Sequence, residues 1–279
     1  LGVVAIVGVG LIGGSFGLAL RKAGFDGEIL GVSSDTAIAE ALQRGAIDRG
    51  LPLAEAASTA DLIYLAQPIG RIMDTLRRLD GLVKQDALIT DAGSTKSAIV
   101  SLARQMIRRC QFLGGHPMAG KARRGASEGD ADLFRGRTYV LTPTHESDLN
   151  TPRAVELLGW IRSFGAIPVV MGPDRHDEVV SFTSHLPQLA STALAATAAE
   201  NLESPDDLQV AGPGLSDMTR LAGSAYEIWR DILATNTDSI DRALAAYIAR
   251  LEHIRENLRT RAVEEQFAAG AALAARLRR

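Results

Sequence analysis

The chain has 279 residues, 46% of them hydrophobic and 23% charged, enough for a sizeable core and for one or two domains. Its net charge of −3 excludes the global basic field on which bulk nucleic-acid binding relies, so an anionic partner would need a local positive site. A single cysteine, Cys110, cannot make an internal disulfide, the five histidines show no zinc spacing, and no apolar run approaches the roughly 20 residues that span a bilayer. The expectation is a cytoplasmic protein with no metal, no membrane partner and no export signal, the first apolar stretch, Val3 to Val7, being too short for a signal-peptide core.

In chain order, Val3–Val7 reads as a buried strand, and the segment Leu11 to Lys22 that follows it as a helix. Further strands are expected at Ile29–Val32, Leu62–Ala66, Leu88–Thr90, Phe112–Leu113, Tyr139–Leu141 and Val169–Met171, with helix-period segments between them. That alternation predicts an α/β fold, a doubly wound, parallel, helix-covered sheet over residues 1–172. Strand signals then stop. Residues 173–279 are rich in Ala, Leu, Arg and Glu, with apolar residues such as Ile240, Leu244, Tyr247, Leu251, Ile254 and Leu258 at steps of three and four, so the C-terminal domain is expected to be all helical. The stretch from Leu202 to Val210 reads as a loop. A helical domain this small is expected to complete its core by packing on a second copy, giving a homodimer.

Between the first strand and the first helix stand Gly8, Gly10 and Gly13, a G-x-G-x-x-G motif. In that context the glycines serve a tight turn, the approach of a pyrophosphate and helix–strand packing, with the helix N-terminus at Leu11 and Ile12 aimed at the phosphates. A Rossmann-like dinucleotide-binding domain follows from this. An acid at the end of the second strand would hold the ribose 2′-hydroxyl of NAD, but Ser33 and Ser34 stand there, followed by Asp35, which suits a helix cap. The cofactor expected is therefore NADP or NAD, with the lean to NADP.

Several segments together resemble the prephenate/arogenate dehydrogenase family of tyrosine biosynthesis. They are GVGLIGGS at Gly8–Ser15, DAGSTK at Asp91–Lys96, GGHPMAG at Gly114–Gly120, SHLPQ at Ser184–Gln188, and DMTRL at Asp217–Leu221 followed by Trp229-Arg230-Asp231. The resemblance spans nearly the whole chain, and it implies oxidative decarboxylation of a cyclohexadienol, arogenate or prephenate, with hydride transfer to NAD(P). It also implies His116 as the base for the hydroxyl and Ser94 as the residue that bonds the reacting hydroxyl and orients the histidine. Arg220 is implied as the paired donor for the substrate carboxylate, with Ser184, His185 and Gln188 lining the interdomain cleft.

Plainer roles stand beside these: a helix N-cap for Ser94, a solvated helix position for Lys96, a surface salt bridge for Arg220, and a core or a wall position for Trp229. Gln188 stands where prephenate-preferring members commonly have histidine, and Ala122 where some have an acid. Cyanobacterial arogenate-type sequences also have a small residue at the position of Ala122, which tilts the expectation to arogenate, although Arg123 and Arg124 suit the keto acid of prephenate equally. A β-hydroxyacid dehydrogenase or imine reductase shares the glycine motif and the helical second domain, and a non-catalytic dinucleotide-binding regulator would need the glycines but neither His116 nor Arg220. The charge divides unevenly, +2 over residues 1–172 and −5 over residues 173–279, with Lys121, Arg123, Arg124, Arg135 and Arg137 close after His116. Such a local field suits a small anionic substrate.

Overall fold

The computed structural model describes residues 1–121, 123 and 125–278, with the backbone alone at Pro205; Ala122 and Arg124 lie outside the described residues. Its sheet consists of β1 (Val3–Val7), β2 (Glu28–Val32), β3 (Arg49–Gly50), β4 (Leu62–Leu65), β5 (Leu88–Asp91), β6 (Gln111–Pro117), β7 (Thr138–Thr142) and β8 (Ile167–Val170). The spatial order is β3-β2-β1-β4-β5-β6-β7-β8. The first six strands are parallel as expected, but β7 runs antiparallel to β6, and β8 is parallel to β7.

That reversal has a local cause. The described residues between 118 and 137 contain one short 3-10 turn, Ala126–Glu128, and no crossover helix, so β7 starts beside the end of β6, Pro117 against Tyr139, and runs back. Strand β6 is also longer than its apolar residues suggest, because Gly114 and Gly115 belong to it. A Cβ on Gly114 would fall 2.2 Å from Thr142 Oγ1, and one on Gly115 2.6 Å from the Asp91 carbonyl oxygen. The glycines let three strands come together where side chains would hold them apart.

Period-two alternation places the two cores. Val4, Ile6, Leu62 and Tyr64 face one side with Phe16, Leu20, Tyr139 and Phe164, where the rings of Phe16 and Tyr64 stack at 3.9 Å. Ala5, Val7, Ile63 and Leu65 face the other with Ile72, Leu76, Ile89 and Ile99. The helices of this part are α1 (Leu11–Lys22), α2 (Asp35–Gln43), α3 (Leu53–Thr59), α4 (Ile69–Leu79), α5 (Ser97–Met106) and α6 (Pro152–Ser163).

From Pro173 onward the described chain is helical: α7 (Pro173–Val180), a π turn over Ser181–His185, α8 (Leu186–Asn201), α9 (Pro213–Thr219), α10 (Tyr226–Thr235), α11 (Thr237–Glu256) and α12 (Glu264–Leu277). Pro187, which has no N–H to donate, stands just after the π turn, where an i→i−4 bond is missing from the ladder. The expected loop from Leu202 to Val210 instead contains a 3-10 helix, Pro205–Val210, whose cap Ser204 accepts the N–H of Asp206 at 3.1 Å.

Two acids of this part cap helices of the sheet part. Asp177 accepts the backbone N–H groups of Lys96 and Ser97 at the start of α5, at 2.7 and 2.9 Å, and Asp231 accepts that of Gly70 in α4 at 2.9 Å. Ile232 and Ile240 are buried in the same apolar cluster as Ile72 and Ile99. At the C-terminal end, α12 buries no residue, and Phe267 is 74% and Leu277 79% exposed. No helix among the described residues is long and apolar enough to cross a membrane.

Candidate active site

The three glycines of the first turn do three different jobs. Gly8 has φ +93° and sits so close to the Ala66 backbone that a Cβ would lie 2.9 Å from it. At Gly13 a Cβ would meet the Gly8 carbonyl oxygen at 2.1 Å, so this glycine is what lets α1 rest on the turn. Around Gly10, the N-cap of α1, a Cβ would meet nothing within 4 Å. That opening lies in front of the first N–H groups of α1, at Leu11 and Ile12, which no side chain caps. A pyrophosphate fits this cradle: the turn requires glycine at two positions for packing, and at the third it keeps open space at a helix N-terminus. Ser33 and Ser34 lie exposed beyond the end of β2, with Ser34 at the cap position of α2 and Asp35 its first residue.

At the far end of β6, His116 is half-buried at the floor of a cleft of about 670 Å³. Its ring nitrogen Nδ1 lies 2.8 Å from Nε2 of His176, and Nδ1 of His176 lies 2.7 Å from Asp177 Oδ1. His176 is fully buried and Asp177 nearly so. Burial pushes the His116 imidazole well below its ordinary value, and neighbouring His176, Lys96 and His185 add to this. For Asp177, burial works towards a higher value, but the hydrogen bonds from His176 and from the N–H groups of Ser97 and Lys96 outweigh it and hold the carboxyl below the usual range.

The strand beneath His116 is gripped on both sides. Lys96, read from sequence as a solvated helix residue, is 0% exposed, and its ammonium is paired with Asp91 and donates to the Gly115 carbonyl at 2.8 Å. Asp91 in turn accepts the N–H of Gly115 at 3.1 Å and that of Gly93 at 2.8 Å. One buried ion pair thus holds both backbone groups of the residue that precedes His116. Desolvation lowers the Lys96 ammonium, and Asp91 works against the shift.

Ser94, His116, Ser184, His185 and Trp229 all line the cleft, together with Lys121, Arg135 and Arg137. Ser94 is not the N-cap of α5; that position belongs to Lys96, and the cap contacts come from Asp177. No hydrogen bond joins Ser94 to His116 among the described residues, and the ring contact belongs to His176. His185 is buried, its Nδ1 faces the Asn236 amide at 3.3 Å, and desolvation lowers its imidazole to about 4. Trp229 stands edge-on to it with centroids 5.9 Å apart, so this ring both walls the cleft and packs on the apolar cluster.

Gln188 and Arg220 are placed differently from expectation. Gln188 is buried away from the cleft lining, and its amide donates to the Leu221 carbonyl at 2.8 Å and to Thr192 Oγ1 at 3.2 Å. Ser191 Oγ accepts the N–H of Ala222 at 3.1 Å, so α8 anchors the turn Arg220–Gly223 at two points. Arg220 opens that turn, exposed and outside the cleft lining, and makes no ion pair among the described residues. The positive segment after His116 is largely paired: Lys121 with Asp130 at 2.8 Å, Arg123 with Glu128 at 3.8 Å and Arg135 with Asp132 at 3.2 Å. Sequence reasoning missed His176 and Asp177, which carried no motif of their own.

Known proteins show the same two-part organisation. The model of the prephenate dehydrogenase nucleotide-binding domain matches residues 16–159, and that of the prephenate dehydrogenase dimerization domain matches residues 172–271. The chain is 35% identical over 271 residues to the prephenate dehydrogenase of Bacillus subtilis, covering 95% of this chain and 72% of that protein. Among solved structures, prephenate dehydrogenase from Aquifex aeolicus in complex with hydroxyphenyl propionate and NAD+ superposes with a TM-score of 0.87 at 30% identity, covering 100% of this chain and 97% of that one. Synechocystis arogenate dehydrogenase gives a TM-score of 0.78 at 29% identity, covering 98% and 96%. With both family models in register and a glycine turn built to receive a dinucleotide, the chain belongs to the prephenate dehydrogenase family.

Proposed function

We propose that this enzyme oxidises and decarboxylates a cyclohexadienol, arogenate or prephenate, in tyrosine biosynthesis, with His116 as the base. The observation that carries the role is the geometry of His116: its Nδ1 is engaged by His176, and its ring lines a cleft at the carboxyl end of β6, in the same sheet whose first strand leads into the glycine turn. A nicotinamide dinucleotide would be held at Gly8, Gly10 and Gly13 and the N-terminus of α1, and would supply the hydride acceptor for the carbinol carbon. His116 receives the hydroxyl proton at Nε2, Ser94 lies in the same cleft to bond the reacting hydroxyl, and carbon dioxide leaves as the ring becomes aromatic. Low basicity keeps His116 unprotonated and ready at neutral pH.

Arg220 and the cleft cations Arg135 and Arg137 are the candidates for the substrate carboxylates, the first on a turn that Gln188 and Ser191 anchor. Ser184, His185 and Trp229 form the opposite wall. Residues 1–172 hold the dinucleotide, and residues 173–279 supply the wall and the dimer contact. The exposed apolar residues of α12 support a homodimer, and a monomeric mass by light scattering at micromolar concentration would count against it. Ser33 and Ser34, where an acid would repel a 2′-phosphate, favour NADP over NAD. Parallel measurements of kcat/KM with arogenate and prephenate, each with NAD and NADP, test the reading. Turnover of neither substrate overturns it, and a large preference for NAD overturns the cofactor assignment.

A further inference from the structure

We propose that His176 is a positioning residue that fixes the tautomer of His116, with Asp177 as the fixed counter-charge at the end of the chain of hydrogen bonds. The inference rests on the proposed role of His116 as base and extends it to two residues outside the lining of its cleft.

The argument is one of donors and acceptors. The Asp177 carboxylate only accepts, and its two oxygens take the N–H groups of Lys96 and Ser97 as well as Nδ1 of His176. His176 therefore carries its proton on Nδ1, and as a neutral ring it presents the lone pair of Nε2 to His116 at 2.8 Å. His116 must then be the donor in that bond, protonated on Nδ1, with its own lone pair on Nε2. That is the tautomer a base in the cleft requires. The opposite tautomer would set two lone pairs against each other in a buried contact.

Asp177 also answers the charge that catalysis creates. A proton arriving at Nε2 makes His116 a cation in a desolvated place, with the Lys96 ammonium behind it and His185 across the cleft. The negative groups facing it are Asp177, reached through His176, and Asp91, which is already paired with Lys96. The Nδ1–H of the cation then donates a charge-assisted bond to His176, which is itself bonded to a carboxylate. The backbone N–H groups of Lys96 and Ser97, which donate to that carboxylate, hold it still, so the array is set before any substrate enters.

Two measurements test this. Long-range 1H–15N spectra of imidazole-labelled protein at neutral pH are expected to show both His116 and His176 protonated on Nδ1; His116 protonated on Nε2 overturns the proposal, whatever the activity. Variants His176→Leu and His176→Gln are then assayed across pH, with circular dichroism melts to check folding. Leu, which leaves the His116 Nδ1–H without an acceptor, is expected to lower plateau kcat/KM about 10²-fold, at the low end of what a positioned base contributes, and to move its acid limb to lower pH. Gln places a carbonyl oxygen near the former Nε2 and is expected to restore most of the loss and to keep the His116 tautomer. A folded Leu variant with unchanged plateau and limb overturns the proposal, and so does a Gln variant no better than Leu. If Leu does not fold, the tautomer and activity of Gln decide. Wild-type protein that turns over neither cyclohexadienol overturns the catalytic reading, while the spectra still decide whether the tautomer is fixed.

Discussion

Asp177 accepts the backbone N–H of Lys96 at 2.7 Å across 81 residues of sequence, while the ammonium of the same lysine grips the strand that carries His116. A single carboxylate thus caps α5, holds His176 and ties α7 to the sheet. Removing it as Asp177→Ala leaves two backbone N–H groups and an imidazole N–H buried without acceptors. The expected loss of stability is about 2–4 kcal/mol, read as a lower urea midpoint at pH 7. The sign with pH follows from the lowered carboxyl of Asp177. Its contribution is fully present above the unfolded carboxylate value of about 4 and is lost as pH falls through the lower folded value, so the gap between wild type and variant should narrow in acid. Equal midpoints at pH 7 would contradict the account.

His116 titrates well below an ordinary imidazole. As the proposed base it would act when neutral, so kcat/KM should stay flat as pH falls from about 8 to 6.5 and decline only further down. An acid limb at or above 6.5 would contradict this. His116→Ala should reduce kcat by about 10²- to 10⁴-fold with cofactor affinity little changed, as titrated by fluorescence quenching.

The glycine turn separates folding from binding. Gly10→Ala adds a methyl where nothing lies within 4 Å, so its melting temperature should match wild type while the cofactor Kd rises at least about tenfold. Gly13→Ala drives a methyl to 2.1 Å from the Gly8 carbonyl and should destabilise the protein by more than about 2 kcal/mol. If Gly10→Ala binds the dinucleotide as wild type does, the pyrophosphate does not lie over this residue.

Arg220→Lys keeps the charge but not the paired donors. With Arg220 as carboxylate anchor, KM for the cyclohexadienol should rise about tenfold or more with the melting temperature unchanged. If KM holds in Arg220→Lys and rises instead in Arg137→Lys, the carboxylate is held from the sheet side of the cleft.

Local patterns made much of this molecule legible. Apolar runs marked the strands, three- and four-residue steps marked helices such as α11, and the glycine spacing marked the turn at the cofactor edge. Histidine 116 was legible only as part of a longer segment match. Three features escaped for physical reasons. The Gly114-Gly115 pair hid most of β6, because its signal is close approach and not hydrophobicity. The reversal at β7 goes with a connection that has no crossover helix among its described residues, to which period counting is blind. Lys96 looked solvated because a lysine is usually buried only with a partner, and its partner Asp91 belongs to the preceding strand. The His176–Asp177 pair reaches the site through tertiary contact alone.

The caps from Asp177 and Asp231 carry a consequence for the order in which the protein is made. Synthesis from the N-terminus completes α4 and α5 long before the ribosome reaches the acids that satisfy their first turns, 161 residues later in the case of Gly70 and Asp231. The nascent sheet therefore waits with two unfinished helix ends until α7 and α10 arrive with the acids that close them. Completion of the sheet edge that carries His116 is thereby tied to the emergence of the last third of the chain, and a truncated product would lack the acids that finish α4 and α5.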